Sequence, residues 1–148
     1  MAIKIPPPIL FLLFSVIIFI FPNITQPTIF YRFLAVIFAI FGIAVSFLGI
    51  VAFHQKRTTV DPLDLNKTTE LVIHGIYRFT RNPMYIGLAC LLITLALWLG
   101  NVLALVNVWF FGCILTKFQI IPEEKILMQK FGKRFTHYQQ RVPRWLWR

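Results

Sequence analysis

Between Pro83 and Pro122 the chain is one apolar run, broken only where Gly100-Asn101 falls in its middle. A helix needs about 20 apolar residues to cross a bilayer, and this run holds two such lengths with a turn signal between them. That pattern predicts an antiparallel helical hairpin whose arms are neighbours. Two more apolar runs precede it, Ile9–Phe21 and Ile29–Phe53. Apolar residues are 58% of 148 and charged ones 14%, against about 25% charged in a soluble domain, so a core of this size cannot hide the apolar surface. The expected architecture is all-α and integral to the membrane, a single domain over 1–148. Its four spans are placed at about 8–21, 29–53, 84–99 and 102–121.

The first run follows one lysine and three prolines and is not trailed by a small-x-small cleavage pattern, so it reads as a retained span rather than a signal peptide. Pro6-Pro7-Pro8 put the helix start near Pro8, which leaves a short span that is tilted or partly interfacial. In the second run Gly42, Ser46 and Gly49 recur at i, i+4, i+7, a face on which another helix can approach closely. Cys90 and Cys113 both lie inside apolar runs and read as small hydrophobes. No Cys/His spacing suggests a metal.

The polar segment 54–83 carries five Lys/Arg and the segment from Lys117 onward carries eight; only Lys4 and Arg32 lie elsewhere. With four spans, the loop, the tail 122–148 and both termini share one side, which the positive-inside rule makes cytoplasmic, as in a bacterial inner membrane. The net charge of +10 then belongs to a surface attracted to anionic membrane lipids rather than to nucleic acid. Leu71-Val72-Ile73 make the loop too apolar for a disordered linker, and a loop of that length is usually functional. In the tail Leu127, Phe131, Phe135, Tyr138 and Val142 recur at helical spacing, broken at Gly132 and ended by Pro143. This is the pattern of an interfacial helix, with Trp145 and Trp147 suited to the headgroup layer.

Two polar clusters stand at the ends of the hairpin. At Arg81-Asn82-Pro83 the ordinary account is an Asn N-cap, a Pro in the first turn and an interfacial Arg, with Tyr85 in an aromatic belt. At Glu123-Glu124 the ordinary account is a pair of acids complementing a helix dipole after Pro122. Neither explains why the only adjacent acids, in a chain with five acids, lie beside the membrane on the same side as Arg81. Consecutive helix positions diverge by about 100°, so one Glu can face a pocket while the other meets a cation.

Arg81-Asn82-Pro83-Met84-Tyr85-Ile86-Gly87, an apolar hairpin, then Glu123-Glu124 resembles the signature of the isoprenylcysteine carboxyl methyltransferase and phospholipid methyltransferase superfamily, Arg-His-Pro-x-Tyr-x-Gly followed by Glu-Glu. The likeness extends through Arg57-Thr58-Thr59-Val60-Asp61-Pro62, through Gly75-Ile76-Tyr77-Arg78 and into Arg141-Val142-Pro143-Arg144-Trp145. Asn82 replaces the histidine of the isoprenylcysteine enzymes, and this Asn form resembles bacterial members. The resemblance implies an S-adenosylmethionine-dependent membrane methyltransferase with a lipophilic acceptor: a prenylcysteine-like carboxylate, a lipid amine or a small thiol. It implies a cofactor site at Arg81, Asn82, Pro83, Tyr85, Gly87, Glu123 and Glu124. In that site Arg81 suits the ligand's carboxylate, the glutamates its ammonium or ribose hydroxyls, Asn82 its adenine or amino-acid end, and Gly87 leaves room beside the helix. Arg141 and Arg144 would hold an anionic acceptor, or lipid phosphate. An amine or neutral thiol acceptor would require a base, for which His54, His74 and His137 are candidates, with His137 the choice in the tail.

Two other classes compete. A four-helix transporter of lipophilic cations requires an ionisable residue inside a span, and no span core here holds an Asp, Glu, Lys or His. A non-catalytic adaptor acting through its basic tail predicts that Arg81 and Glu124 are dispensable.

Overall fold

The computed structural model describes residues 6–20, 26–55 and 70–146. The described residues are helical with no strand: α1 Pro7–Ile20, α2 Ile29–Gln55, α3 Pro83–Trp98, α4 Ala104–Leu115, α5 Ile121–Phe131 and α6 Lys133–Arg141. The motif at Arg57–Pro62 and the tryptophan at 147 lie outside the described residues.

Among the described residues two helices are long and apolar enough to cross a membrane: Ile29–Gln55, and a continuous rod Ala104–Phe131. Their outer faces carry bare Phe33, Ile40, Phe47, Val106, Trp109 and Phe110, surface that water would not tolerate over such an area. The 14 residues of α1 reach about 21 Å, short of a bilayer's hydrocarbon core.

The stripe of small residues on α2 is a packing surface. A Cβ built on Gly42 would lie 2.9 Å from Cys90 Cβ and 3.0 Å from the Gly87 carbonyl oxygen, and one on Gly49 would crowd Pro83 and Met84. From the other side, a Cβ on Gly87 would overlap the Ser46 hydroxyl and reach within 2.7 Å of the Gly42 carbonyl. This close approach makes α2 and α3 the most extensively packed pair. Gly87→Val should force the helices apart and cost about 1–3 kcal/mol, read as a lower thermal midpoint in detergent.

The α3–α4 turn forms where Gly100-Asn101 predicts it. Gly100 takes φ 70°, the Asn101 amide donates to the Ala96 carbonyl at 2.8 Å, and Gly100 N–H donates to Leu97, a Schellman closure. The buried Asn101 side chain then accepts from the Ala104 amide and starts α4. α1 leans on α4: Asn107 donates to the Phe14 carbonyl and the two rings of Phe14 and Phe111 meet edge to face at 5.4 Å.

One boundary departs from expectation. The fourth helix does not end before Pro122; a π turn, Thr116–Ile120, carries it into α5. Pro122 has no N–H, so the α ladder must lose a rung there, and the wider turn absorbs the fault without breaking the rod. Glu123 and Glu124 therefore do not cap a free helix end, and the dipole account of them does not apply.

The tail also differs. Its apolar face turns inward: Phe135, Tyr138 and Val142 are buried together with Leu71 from the segment before α3, with Leu127, Met128 and Phe131 of α5 packed alongside. Gly132, at φ 50°, makes the corner between α5 and α6. The tail is a cap folded over residues 70–82 rather than a helix lying on lipid by its apolar side.

Candidate functional site

The cap brings both polar clusters to one place. Arg81 Nη1 donates to Glu124 Oε1 at 2.7 Å across 43 residues of sequence. Arg144 clasps the same carboxylate from the tail, Nη2 to Oε2 at 2.7 Å and Nε to Oε1 at 3.0 Å, the bidentate geometry guanidinium favours. One acid thus serves two cations, with Arg81 and Glu124 each 12% exposed and Arg144 34%. Burial pulls the Arg81 guanidinium below its ordinary range against the pull of Glu124, whereas the hydrogen bonds to Glu124 raise Arg144. Among the described residues, Arg81 Nε is the buried side-chain polar atom left with no partner.

Glu123 points elsewhere on the same turn. Its Oε1 accepts from the Tyr85 hydroxyl at 2.7 Å and from Gln119 Nε2 at 2.6 Å. Adjacent positions on one helix thus send one carboxylate to the cations and the other to neutral donors. Gln119 is buried. It did not stand out in the sequence, although its i→i+4 spacing to Glu123 was there to be read.

The chain after α6 is stitched to the start of α3. Arg81 N–H donates to the Pro143 carbonyl at 3.0 Å, and the Arg144 carbonyl accepts from Asn82 Nδ2 at 2.9 Å and Thr80 Oγ1 at 3.2 Å. Asn82 occupies the N-cap position without making the capping bond, so its side chain is spent on the tail. Pro83 takes the first turn as expected. Below these residues, the Tyr138 hydroxyl donates to the Tyr77 carbonyl at 2.7 Å, and Tyr77 meets Phe53 edge to face. Burial raises both phenols above their usual range, so they stay neutral. Tyr138→Phe should cost about 1 kcal/mol by orphaning that carbonyl, measurable as a shift in thermal unfolding.

Three expected residues fall outside the cluster. Gly87 faces α2, and the space it leaves is filled by Ser46 and Gly42 rather than open to a ligand. His137 and Arg141 are exposed on α6, whose buried side carries Phe135 and Tyr138. His54 is exposed at the end of α2 and His74 is half-buried before the 3-10 turn Gly75–Arg78. Trp145, expected at the headgroups, is half-buried and donates Nε1 to Thr116 Oγ1 at 3.1 Å.

An open groove of about 360 Å³ borders Glu124, lined by Ile121, Lys125, Met128, Gln129 and Gln139. Cations, a phenol, two carboxylates and amide groups gather around one half-buried point. No ionic metal cage is formed by the described residues.

Comparison with known proteins gives the chain its relatives. The phospholipid methyltransferase family model matches residues 30–134. An uncharacterized protein of Haemophilus influenzae is 44% identical over 63 residues, 43% of this chain and all of that protein. The protein-S-isoprenylcysteine O-methyltransferase of Schizosaccharomyces pombe is 35% identical over 81 residues, 53% of this chain and 33% of its own length. A probable protein-S-isoprenylcysteine O-methyltransferase of Oryza sativa subsp. indica is 28% identical over 116 residues, 76% of this chain and 59% of its own. The chain therefore spans a third to about three fifths of the length of these methyltransferases. No solved structure matches it. The family match runs over both arms of the hairpin and takes in Arg81, Tyr85, Glu123 and Glu124: this chain belongs to the phospholipid methyltransferase family.

Proposed function

We propose that the protein is a membrane-embedded, S-adenosylmethionine-dependent methyltransferase acting on a lipophilic acceptor. The observation that carries this reading is the convergence of Arg81, Tyr85, Glu123 and Glu124 on one half-buried point at the polar end of the α3–α4 hairpin. The donor set fits the cofactor. Arg81 has a buried Nε still lacking an acceptor, which a ligand carboxylate would satisfy. Glu123 and Glu124 have lone pairs for an ammonium or ribose hydroxyls, and the groove beside Glu124 offers an apolar wall with amides. When bound, the sulfonium supplies the electrophilic methyl group.

The chain's own contribution is positioning and dryness. Arg144, Asn82 and Thr80 hold the tail across the site, where it shields part of the cluster from water. Methyl transfer is an in-line displacement, and alignment can supply much of its rate. A carboxylate or thiolate acceptor arrives ready to react; an amine must first lose a proton, and His137, exposed on the outer face of α6, stands apart from the cluster. Four membrane crossings, with the cap on the cytoplasmic side, complete the proposal.

The test is equilibrium binding of radiolabelled S-adenosylmethionine to protein in nanodiscs, then label transfer to an S-prenylcysteine, phosphatidylethanolamine and small thiols. Saturable binding with transfer to one class is expected. Folded protein that binds no cofactor would end the proposal.

A further inference from the structure

Thr80 stands one residue before the Arg81–Gly87 motif; it is buried, and its hydroxyl is engaged twice. It accepts from the Asn82 amide at 3.2 Å, so its one proton is left to donate to the Arg144 carbonyl, also at 3.2 Å. Asn82 Nδ2 donates to that same carbonyl at 2.9 Å. Between them, the Arg81 amide holds the Pro143 carbonyl. Three consecutive residues thus grip two consecutive carbonyls of the strap that follows α6, residues 142–146. The two arginines then close a ring through one acid, because the Arg81 and Arg144 guanidiniums both end on Glu124. The ring joins three segments: the bend before α3, the strap and the rod that carries Glu124. Its links are not equal. Arg81 is packed in at 12% exposed, whereas Arg144 at 34% has water to turn to. An arginine so placed regains rotamer freedom on letting go, so a bidentate clasp there needs its backbone held. Two donors on one carbonyl supply that hold. Asn82 makes no capping bond to α3, so the helix does not rely on its side chain for a cap.

We propose that Thr80 and Asn82 are positioning residues of the cofactor site rather than contacts to the ligand: by fixing the Arg144 carbonyl they aim its guanidinium at Glu124, and so hold that carboxylate ready for the cofactor. The inference rests on the methyltransferase reading. It gives Asn82 a role different from the ligand contact that the motif implies, and it brings in Thr80. With either donor removed, the strap spends part of its time open, and apparent affinity falls in proportion to the closed fraction.

The test is a double-mutant cycle on S-adenosylmethionine binding in nanodiscs, with thermal unfolding of each variant as the check on folding. Arg144→Ala should weaken binding about tenfold, and Asn82→Ala and Thr80→Val about fivefold each. Thr80→Ser, which keeps the hydroxyl, should bind as the wild type does. In the Arg144→Ala background, Asn82→Ala and Thr80→Val should change affinity by less than about twofold, because the guanidinium they position is gone. A direct ligand contact at Asn82 would instead multiply the losses. Without any ligand, tryptic cleavage after Arg144 is scored against cleavage after exposed Arg134 in the same digest. That ratio should rise about fivefold in Asn82→Ala and in Thr80→Val. Multiplied losses in the cycle, or cleavage ratios unmoved in both variants, overturn the proposal. Folded wild-type protein that binds no cofactor would sink the methyltransferase reading, and the digest, which needs no ligand, tells that failure from a strap that Thr80 and Asn82 do not hold.

Discussion

Glu124→Ala is expected to abolish measurable binding of S-adenosylmethionine and to loosen the cap. The carboxylate is the common partner of Arg81 and Arg144, and removing it leaves two guanidiniums facing each other with nothing between. Breaking a buried pair from one side costs about 3–5 kcal/mol, and the lower end applies because Arg144 is 34% exposed and can turn to water. Arg81 cannot: it is 12% exposed, and burial already depresses its guanidinium. Glu124→Gln, which keeps shape and an acceptor oxygen but not the charge, should fall between. Binding isotherms and thermal unfolding of both variants check this. Wild-type affinity in Glu124→Ala would show that the acid is structural and that the ligand lies elsewhere.

The second large effect is expected from truncation after Val142. It removes the bidentate partner of Glu124, the two carbonyls that hold Arg81, Asn82 and Thr80, and the indole against Thr116. The buried face of α6 through Val142 is retained, so the cap should remain folded on Leu71. Cofactor affinity should fall by more than about tenfold, roughly one charge-assisted hydrogen bond's worth. Limited proteolysis should newly cut near Phe79. Unaltered affinity would mean that residues 143–148 are not needed to bind the cofactor.

The hairpin, its turn and the meeting of Arg81 with Glu124 were legible in the chain because each leaves a local mark. An apolar run, a Gly-Asn pair and charged residues at its ends need no tertiary knowledge to be noticed. The stripe Gly42, Ser46, Gly49 likewise announced a close helix contact, and α3 supplies it. What stayed hidden depends on register. Pro122 reads as a stop, because nothing local signals that a π turn will carry the helix past it. That single misplaced boundary changes the meaning of the two acids, from helix-end charges to groups on the side of a rod. Asn82 shows the same limit: its N-cap position is visible in sequence, but its side chain is claimed by a carbonyl 62 residues away. The tail's amphipathic pattern was plain, yet periodicity alone does not say whether lipid or Leu71 will cover it.

The unbroken course from Ala104 to Phe131 has one more consequence. Twenty residues separate Ala104 from Glu124, about 30 Å of rise, which matches the hydrocarbon thickness of an average bilayer. Thinner or thicker lipid will be met by leaning this rod, and its acids lean with it while Arg81, in the bend just before α3, does not follow equally. Chain length of the surrounding lipid should therefore tune how well the guanidinium and the carboxylate meet, making the host membrane itself a setting on the enzyme.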